Sequence, residues 1–105
     1  MIPRAAFRFT KVEPKVYRSS AIMERGFCSE CGSLIIYWYT TDKKDADRVW
    51  LSLGNFDDPN AFTPEYHYAV ETRMHWLPDD ELPRFRLDED EAYFAAVNAA
   101  DDVPK

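Results

Sequence analysis

Hydrophobic and polar positions alternate over several short stretches of the chain, which is the pattern of β-strands with one buried face. Five stretches are predicted to be strands: residues 5–12, 14–20, 33–41, 48–54 and 65–73. The stretch 33–41 gives the clearest prediction, because its β-branched and aromatic side chains suit a pleated, half-buried surface. The polar residues 41–47 are typical of a hairpin connection, so we expect the third and fourth strands to pair.

One helix is predicted near the end of the sequence. Asp88 is a suitable N-cap, the acidic residues 89–91 match the positive end of a helix dipole, and AYFAAVNAA follows. Prolines interrupt the preceding residues 75–85, which predicts irregular structure there. The fold class predicted from this pattern is mainly β, with an antiparallel sheet followed by a C-terminal helix.

Chain length and charge distribution limit the number of domains and the kinds of partner. A chain of 105 residues is expected to form one domain. The formal net charge of −6 arises in residues 79–105, because acidic and basic side chains balance over residues 1–78. We expect this acidic end to be a solvated tail. No basic stripe is present, so no nucleic-acid partner is predicted.

The hydropathy of the sequence indicates where in the cell the protein is expected. No stretch approaches the roughly 18 apolar residues of a membrane span, and the N-terminal residues do not resemble a signal peptide. We therefore predict no membrane partner and a cytoplasmic location. In a reducing compartment, two cysteines are expected to be free, metal-bound or catalytic rather than joined in a structural disulfide.

The candidate chemistry centres on the only two cysteines, Cys28 and Cys31, within RGFCSECGSLIIYWY at residues 25–39. In a C-x-x-C-G turn two thiolates converge on one metal ion, and the following glycine, here Gly32, permits a positive φ that turns the chain back. The chain then enters a predicted strand, as in one limb of a zinc ribbon. This interpretation predicts zinc bound by Cys28 and Cys31, which supply two of the four ligands that zinc usually takes.

Other interpretations of the pair stay open. A thioredoxin-like redox pair would begin a helix, but the residues after Cys31 suit a strand. The cysteines can also be reduced thiols without a metal. If zinc is bound, a second copy of the chain could complete the site in a homodimer. His67, His75 or water are alternative ligands, although each histidine is better explained as a structural residue.

Several motifs occur in the order found in one known family. They are the Arg-Ser-Ser run at residues 18–20, Arg25-Gly26-Phe27-Cys28 with Cys31-Gly32, the strand carrying Leu51 and Gly54, Asp57-Asp58-Pro59, and the stretch from Tyr66-His67 to Trp76. Over residues 2–85 the chain resembles the C-terminal portion of the glutathione-dependent formaldehyde-activating enzyme family, which also contains centromere protein V.

The resemblance implies a β-tent fold built around zinc. In this family the C-x-x-C pair, here Cys28 and Cys31, supplies half of a structural four-cysteine site, and a C-x-C pair near the domain's N-terminus supplies the rest. A further cysteine cluster holds the zinc of the reaction centre. There the thiol of glutathione adds to formaldehyde, which is a carbon–sulfur lyase reaction in the reverse sense. The implied substrates are a small thiol and a small aldehyde.

The sequence departs from the family pattern before Cys28, because no cysteine precedes it. The resemblance therefore predicts a partial family domain at residues 1–85, beginning near the family's midpoint at Met1, and an acidic helix and tail at residues 86–105. No catalytic residue has a matching position. Cys28 and Cys31 are the only zinc ligands that the resemblance assigns.

Two functions follow from these residues. The leading hypothesis is a zinc-binding, carbon–sulfur lyase-like member of the family that lacks the catalytic zinc in this chain. The alternative is a non-enzymatic, dimeric β interaction module whose cysteine pair stabilises a turn. The sequence leaves open whether the chain is an enzyme.

Overall fold

A computed structural model describes residues 1–11 and 13–100. Within these ranges the backbone forms strands and one α-helix, with short 3-10 turns between them. The elements are β1 (Ile2–Pro3), β2 (Lys15–Ser20), β3 (Met23–Phe27), β4 (Leu34–Tyr39), β5 (Arg48–Leu51), β6 (His67–Tyr68), β7 (Arg84–Phe85) and α1 (Glu91–Ala99). The fold is mainly antiparallel β with one C-terminal helix, which confirms that part of the sequence prediction.

The main sheet has the strand order β1-β5-β4-β3-β2, and all neighbouring strands run antiparallel. Strands β2 to β5 follow one another in the chain, and β4 pairs with β5 as predicted. At one edge β1 covers only two residues of β5. At the other edge β2 has no further partner strand in the described part of the chain, and four of its six residues are exposed.

The buried side chains form a small core. Ile36 of β4 and Val49 of β5 are each 3% exposed. At the end of the sheet, Ile22 and Tyr39 pack against Ala96 of α1, which is 1% exposed. The helix therefore covers the end of the sheet at which β2 turns into β3. In residues 1–11 and 13–100, no helix is long and apolar enough to cross a membrane.

Gly26 lies at a close approach within the sheet. A Cβ atom at this position would lie 2.7 Å from Ile36 Cγ2 and 3.0 Å from Pro14 Cγ. The pairing register between β3 and β4 shifts between Gly26 and Phe27, so an irregularity comes immediately before the turn that carries Cys28. The lack of a side chain at Gly26 thus allows Pro14 and Ile36 to approach the strand.

Two predicted strands are wrong over most of their length. In place of a strand at residues 5–12, Arg4–Ala6 is a 3-10 turn, and the amide of Arg4 donates to the carbonyl of Asp47 at 2.7 Å. Val12 lies outside the described residues. Of residues 65–73, only His67–Tyr68 is a strand, because Ala69 takes a φ of +60° and begins a 3-10 turn. The fourth predicted strand also ends early, at Leu51.

The helix begins later than predicted. Its N-cap is Asp90, whose Oδ1 accepts a hydrogen bond from the amide of Tyr93 at 3.0 Å. Asp88, the predicted N-cap, lies in a preceding 3-10 turn and binds Arg86 instead. The other oxygen of the Asp90 carboxylate, Oδ2, accepts a hydrogen bond from Lys44 Nζ at 2.8 Å.

Candidate functional site

Cys28 and Cys31 lie in the tight turn that joins β3 to β4. The amide of Cys28 donates to the carbonyl of Ser33 at 2.9 Å, and the amide of Gly32 donates to the carbonyl of Cys28 at 2.8 Å. Gly32 has a φ of +78°, the left-handed conformation that its place after the second cysteine predicts. The turn therefore holds both thiols in one compact loop, with Cys28 partly buried and Cys31 exposed.

The turn favours the ionised form of one thiol. The Sγ atom of Cys31 lies 3.3 Å from the hydroxyl oxygen of Ser33. Hydrogen bonding to the Ser33 hydroxyl, and secondarily to the Ser33 amide and the Cys28 thiol, lowers the pKa of Cys31 below its ordinary value. Because the thiolate is the form that binds metals, this shift favours metal binding at the turn.

The donor set fits half of a zinc site. Two thiols are in place, but among residues 1–11 and 13–100 no group of three or more His, Cys, Asp or Glu side chains is placed to hold a metal ion. His67 is occupied elsewhere, because its Nε2 lies 2.7 Å from Asp80 Oδ2, which supports its interpretation as a structural histidine. Within the described residues, neither His67 nor His75 joins the cysteines in such a group.

The Arg-Ser-Ser run closes the turn between β2 and β3. Arg18 Nη2 donates to the carbonyl of Ala21 at 2.8 Å, and the hydroxyl of Ser20 accepts from the amide of Ile22 at 3.3 Å. These contacts agree with the structural role that is usual for polar residues at strand ends. The hydroxyl of Ser19 donates to the carbonyl of Met23 at 3.4 Å and also accepts a hydrogen bond from Arg25 Nε at 3.2 Å.

A second candidate site, which the sequence pattern alone does not reveal, is a cavity of about 850 Å³ on one face of the main sheet. Arg25, Tyr37 and Trp50 lie opposite one another on β3, β4 and β5, so they share this face. The guanidinium carbon of Arg25 is 5.3 Å from the ring centroid of Tyr37, and Tyr37 stacks on Trp50 with centroids 5.5 Å apart. Tyr37 and Trp50 form an aromatic wall, and the guanidinium of Arg25 lies at one end of it.

Lys44 is the other basic side chain that lines this cavity. Its Nζ lies 2.8 Å from Asp90 Oδ2 and 3.2 Å from Asp45 Oδ2, and the hydroxyl of Tyr68 also donates to Asp90. Burial would raise the pKa of Asp90, but hydrogen bonds from Lys44, Tyr68 and the Tyr93 amide outweigh it and lower this pKa to about 2. The network ties the β4–β5 connection to the start of α1.

Comparison with known proteins bears on the first of these sites. No curated protein and no solved structure matches the chain. The family model described as glutathione-dependent formaldehyde-activating enzyme matches residues 1–72, a range that includes the main sheet and the turn with Cys28 and Cys31. The chain therefore belongs to the glutathione-dependent formaldehyde-activating enzyme family.

Proposed function

We propose that this chain is a zinc-binding β domain of the β-tent type, in which Cys28 and Cys31 supply two thiolates to a structural zinc ion. The observation that carries the proposal is the turn itself: two backbone hydrogen bonds and the positive φ of Gly32 keep both thiols in one loop. The lowered pKa of Cys31 supports it. A structural zinc ion bound there would stabilise the connection between β3 and β4.

We propose that the other two ligands are the equivalent cysteines of a second copy of the chain. The sequence has two cysteines in all, and Cys31 is exposed where a second copy can reach it. Four thiolates across a twofold axis would satisfy the tetrahedral preference of zinc. Because each chain contributes one pair, the proposal requires one zinc ion per two chains.

Metal content and molecular mass test this proposal together. Zinc per chain is measured by elemental analysis, and mass by light scattering, before and after treatment with a chelator. We expect one zinc per two chains and a dimer that the chelator dissociates. Cys28→Ser and Cys31→Ser should lose both zinc and the dimer, whereas Ser29→Ala, in the same exposed turn, should keep both. One zinc per monomer would contradict the shared site, and no zinc would contradict metal binding altogether.

The reaction class that we propose for the family domain when it holds a reaction-centre zinc is carbon–sulfur chemistry, with a small thiol and a small aldehyde as substrates. In the addition, the thiolate sulfur forms a bond to the carbonyl carbon, the π electrons of the carbonyl move to oxygen, and the oxygen takes a proton to give a hemithioacetal. A catalytic zinc would supply Lewis-acid polarisation of the carbonyl oxygen.

This chemistry needs a reaction-centre zinc in addition to the structural one. Because Cys28 and Cys31 are assigned to the structural zinc, the 105-residue chain is expected to add glutathione to formaldehyde no faster than buffer does. The rate of hemithioacetal formation is measured by NMR with the zinc-loaded chain. A rate above that of buffer, lost in Cys28→Ser but kept in Ser29→Ala, would overturn this expectation and assign chemistry to the pair.

A second candidate function is a non-enzymatic, dimeric interaction module, and the exposed edge of β2 favours it. Val16 and Tyr17 on this edge are 46% and 54% exposed, and an unpaired edge can recruit another strand. A dimer of this kind should persist after chelation and in Cys28→Ser, and should dissociate in Val16→Lys. The zinc-bridged dimer should instead dissociate after chelation and in Cys28→Ser, and it should persist in Val16→Lys.

Two further assignments remain proposals. We propose that residues 1–85 correspond to the family domain in partial form and that residues 86–105 are an acidic helix and tail; the match over residues 1–72 supports the first part. The cytoplasmic location and the lack of a nucleic-acid partner are kept as predictions from the sequence.

A further inference from the structure

We infer that the cavity on the Arg25 face of the main sheet binds a small organic monoanion, a carboxylate carried on a flat apolar ring, with the carboxylate held by the guanidinium of Arg25. The inference goes beyond the proposed zinc site and does not rest on it. Neither Cys28 nor Cys31 lines this cavity. The two proposals can therefore fail separately.

Arg25 is positioned to receive an anion. Its Nε donates to Ser19 Oγ at 3.2 Å and its guanidinium lies over Tyr37, so two contacts fix the side chain. Arg25 is partly buried and forms no ion pair with any residue that the structure describes. A guanidinium anchored through Nε presents its two Nη nitrogens as a fork that matches the two oxygens of a carboxylate.

The other charges in the lining select for a single negative charge. Lys44 is already balanced by Asp45 and Asp90, which leaves Arg25 as the basic side chain of the lining that has no carboxylate partner among the described residues. Glu65 also lines the cavity and is exposed, so a second negative charge on a ligand would meet repulsion there. A monoanion is therefore favoured over a dianion.

The rest of the lining suits a flat apolar group. Beside Tyr37 and Trp50 stand Phe56 and Phe62, with ring centroids 4.7 Å apart, and Tyr66. Phe62 is 52% and Tyr66 44% exposed, so large apolar side chains face solvent at the mouth and would lose contact with water when a ring packs on them. A volume of about 850 Å³ lies within the range of small-molecule sites.

The test compares two probes of the same shape that differ in charge. Binding of 2-naphthoate and of uncharged 2-naphthamide to the chain is measured by calorimetry. We expect naphthoate to bind about tenfold more tightly or better, since hydrogen bonds to a charged group carry that much free energy. We expect 2,6-naphthalenedicarboxylate to bind more weakly than naphthoate, because of Glu65.

Variants locate the site. Arg25→Gln should lower the affinity for naphthoate to that for naphthamide and leave naphthamide binding unchanged. Arg8→Gln is the matched control, because it removes the same charge from an exposed arginine that does not line the cavity, and it should change neither affinity. Trp50→Leu should weaken both probes, since it removes part of the aromatic wall that they share.

Three outcomes would overturn the inference. They are equal affinities for naphthoate and naphthamide, naphthoate binding that is unchanged in a folded Arg25→Gln, and dicarboxylate binding as tight as that of naphthoate. The first and third use the unaltered chain, so they decide the matter even if Arg25→Gln does not fold. Cys28→Ser should retain naphthoate binding, which separates this result from any failure of the zinc site.

Discussion

The sheet formed by β2 to β5 and the segment that follows it, residues 53–100, are stabilised in different ways. The sheet is held by antiparallel backbone pairing across four strands, with Ile36 and Val49 buried against their neighbours. The following segment, apart from α1, has two-residue strands and single 3-10 turns, which offer few backbone hydrogen bonds of their own.

In residues 53–100, carboxylate side chains make hydrogen bonds and ion pairs that connect the short elements. Glu71 accepts hydrogen bonds from the amides of Leu87 and Asp88, at 3.0 and 2.7 Å. Asp79 contacts two arginines, Arg73 at 3.1 Å and Arg84 at 2.9 Å. The chain is thus stabilised by apolar burial where its strands are long and by charged side chains where its strands are short. The two regions should therefore respond differently to truncation and to acid.

The largest expected effect is in the sheet. Ile36→Ala removes a side chain that is 3% exposed, so the free energy of unfolding should fall by about 3 kcal/mol. Leu34→Ala, in the same strand but at a position 37% exposed, is the control and should cost less than about 1 kcal/mol. Both are measured by urea denaturation. Equal losses would show that burial on this face does not stabilise the sheet.

A somewhat smaller loss is expected where the two regions meet. Asp90→Ala removes the N-cap of α1 and leaves Lys44 with one carboxylate partner fewer, so we expect a loss of about 2 kcal/mol. Asp88→Ala, two residues earlier and exposed, should have little effect on urea denaturation. The reverse order of effects would restore Asp88 as the cap that the sequence alone indicates.

Acid should produce the smallest of the three effects, because protonation leaves the carboxyl group of Asp90 in place. The pKa of Asp90 is about 2 in the folded chain and about 4 when unfolded, so its contribution is present above pH 4 and is lost as the pH falls toward 2. The pKa of Asp79, beside Arg84, and that of Asp80, beside His67, are lowered in the same direction.

The sheet supplies the contrast for this acid effect. The stability penalty of Asp90→Asn, measured by urea denaturation at pH 6 and at pH 2.5, should shrink in acid. The penalty of Ile36→Ala should stay the same, since no titrating group is removed. If the loss of stability in Asp90→Asn does not depend on pH, the charge of this carboxylate does not connect the β4–β5 loop to α1.

The same division explains how much of the fold the sequence predicts. The strands at residues 14–20 and 33–41 and the hairpin after them are predicted because a period of two and β-branched residues act locally. The strand predicted at residues 65–73 fails because the left-handed Ala69 ends it, and alanine gives no local signal for this conformation. The true N-cap, Asp90, also binds Lys44, a partner 46 residues earlier in the chain that no local pattern displays.

The two candidate sites differ in a similar way. The cysteine turn can be predicted because the five residues of the C-x-x-C-G motif indicate a tight turn by themselves. The positive φ of Gly32 agrees with that prediction. The row of Arg25, Tyr37 and Trp50 depends on the pairing register across three strands. That register is set by turn lengths and by the irregularity after Gly26, which no local pattern displays.

Gly26 lies two residues before Cys28, so its close packing bears on the cysteine turn. The absence of a side chain there lets Pro14 and Ile36 approach β3, and the register shift that follows lies immediately before the turn with Cys28 and Cys31. A methyl group there would displace one of these neighbours and tilt the turn. Both sulfurs would remain, but in the proposed zinc-bridged dimer their separation from the sulfurs of the second copy would change. If the proposed zinc ion is shared between two copies of the chain, the packing around Gly26 contributes to its geometry together with the two cysteines.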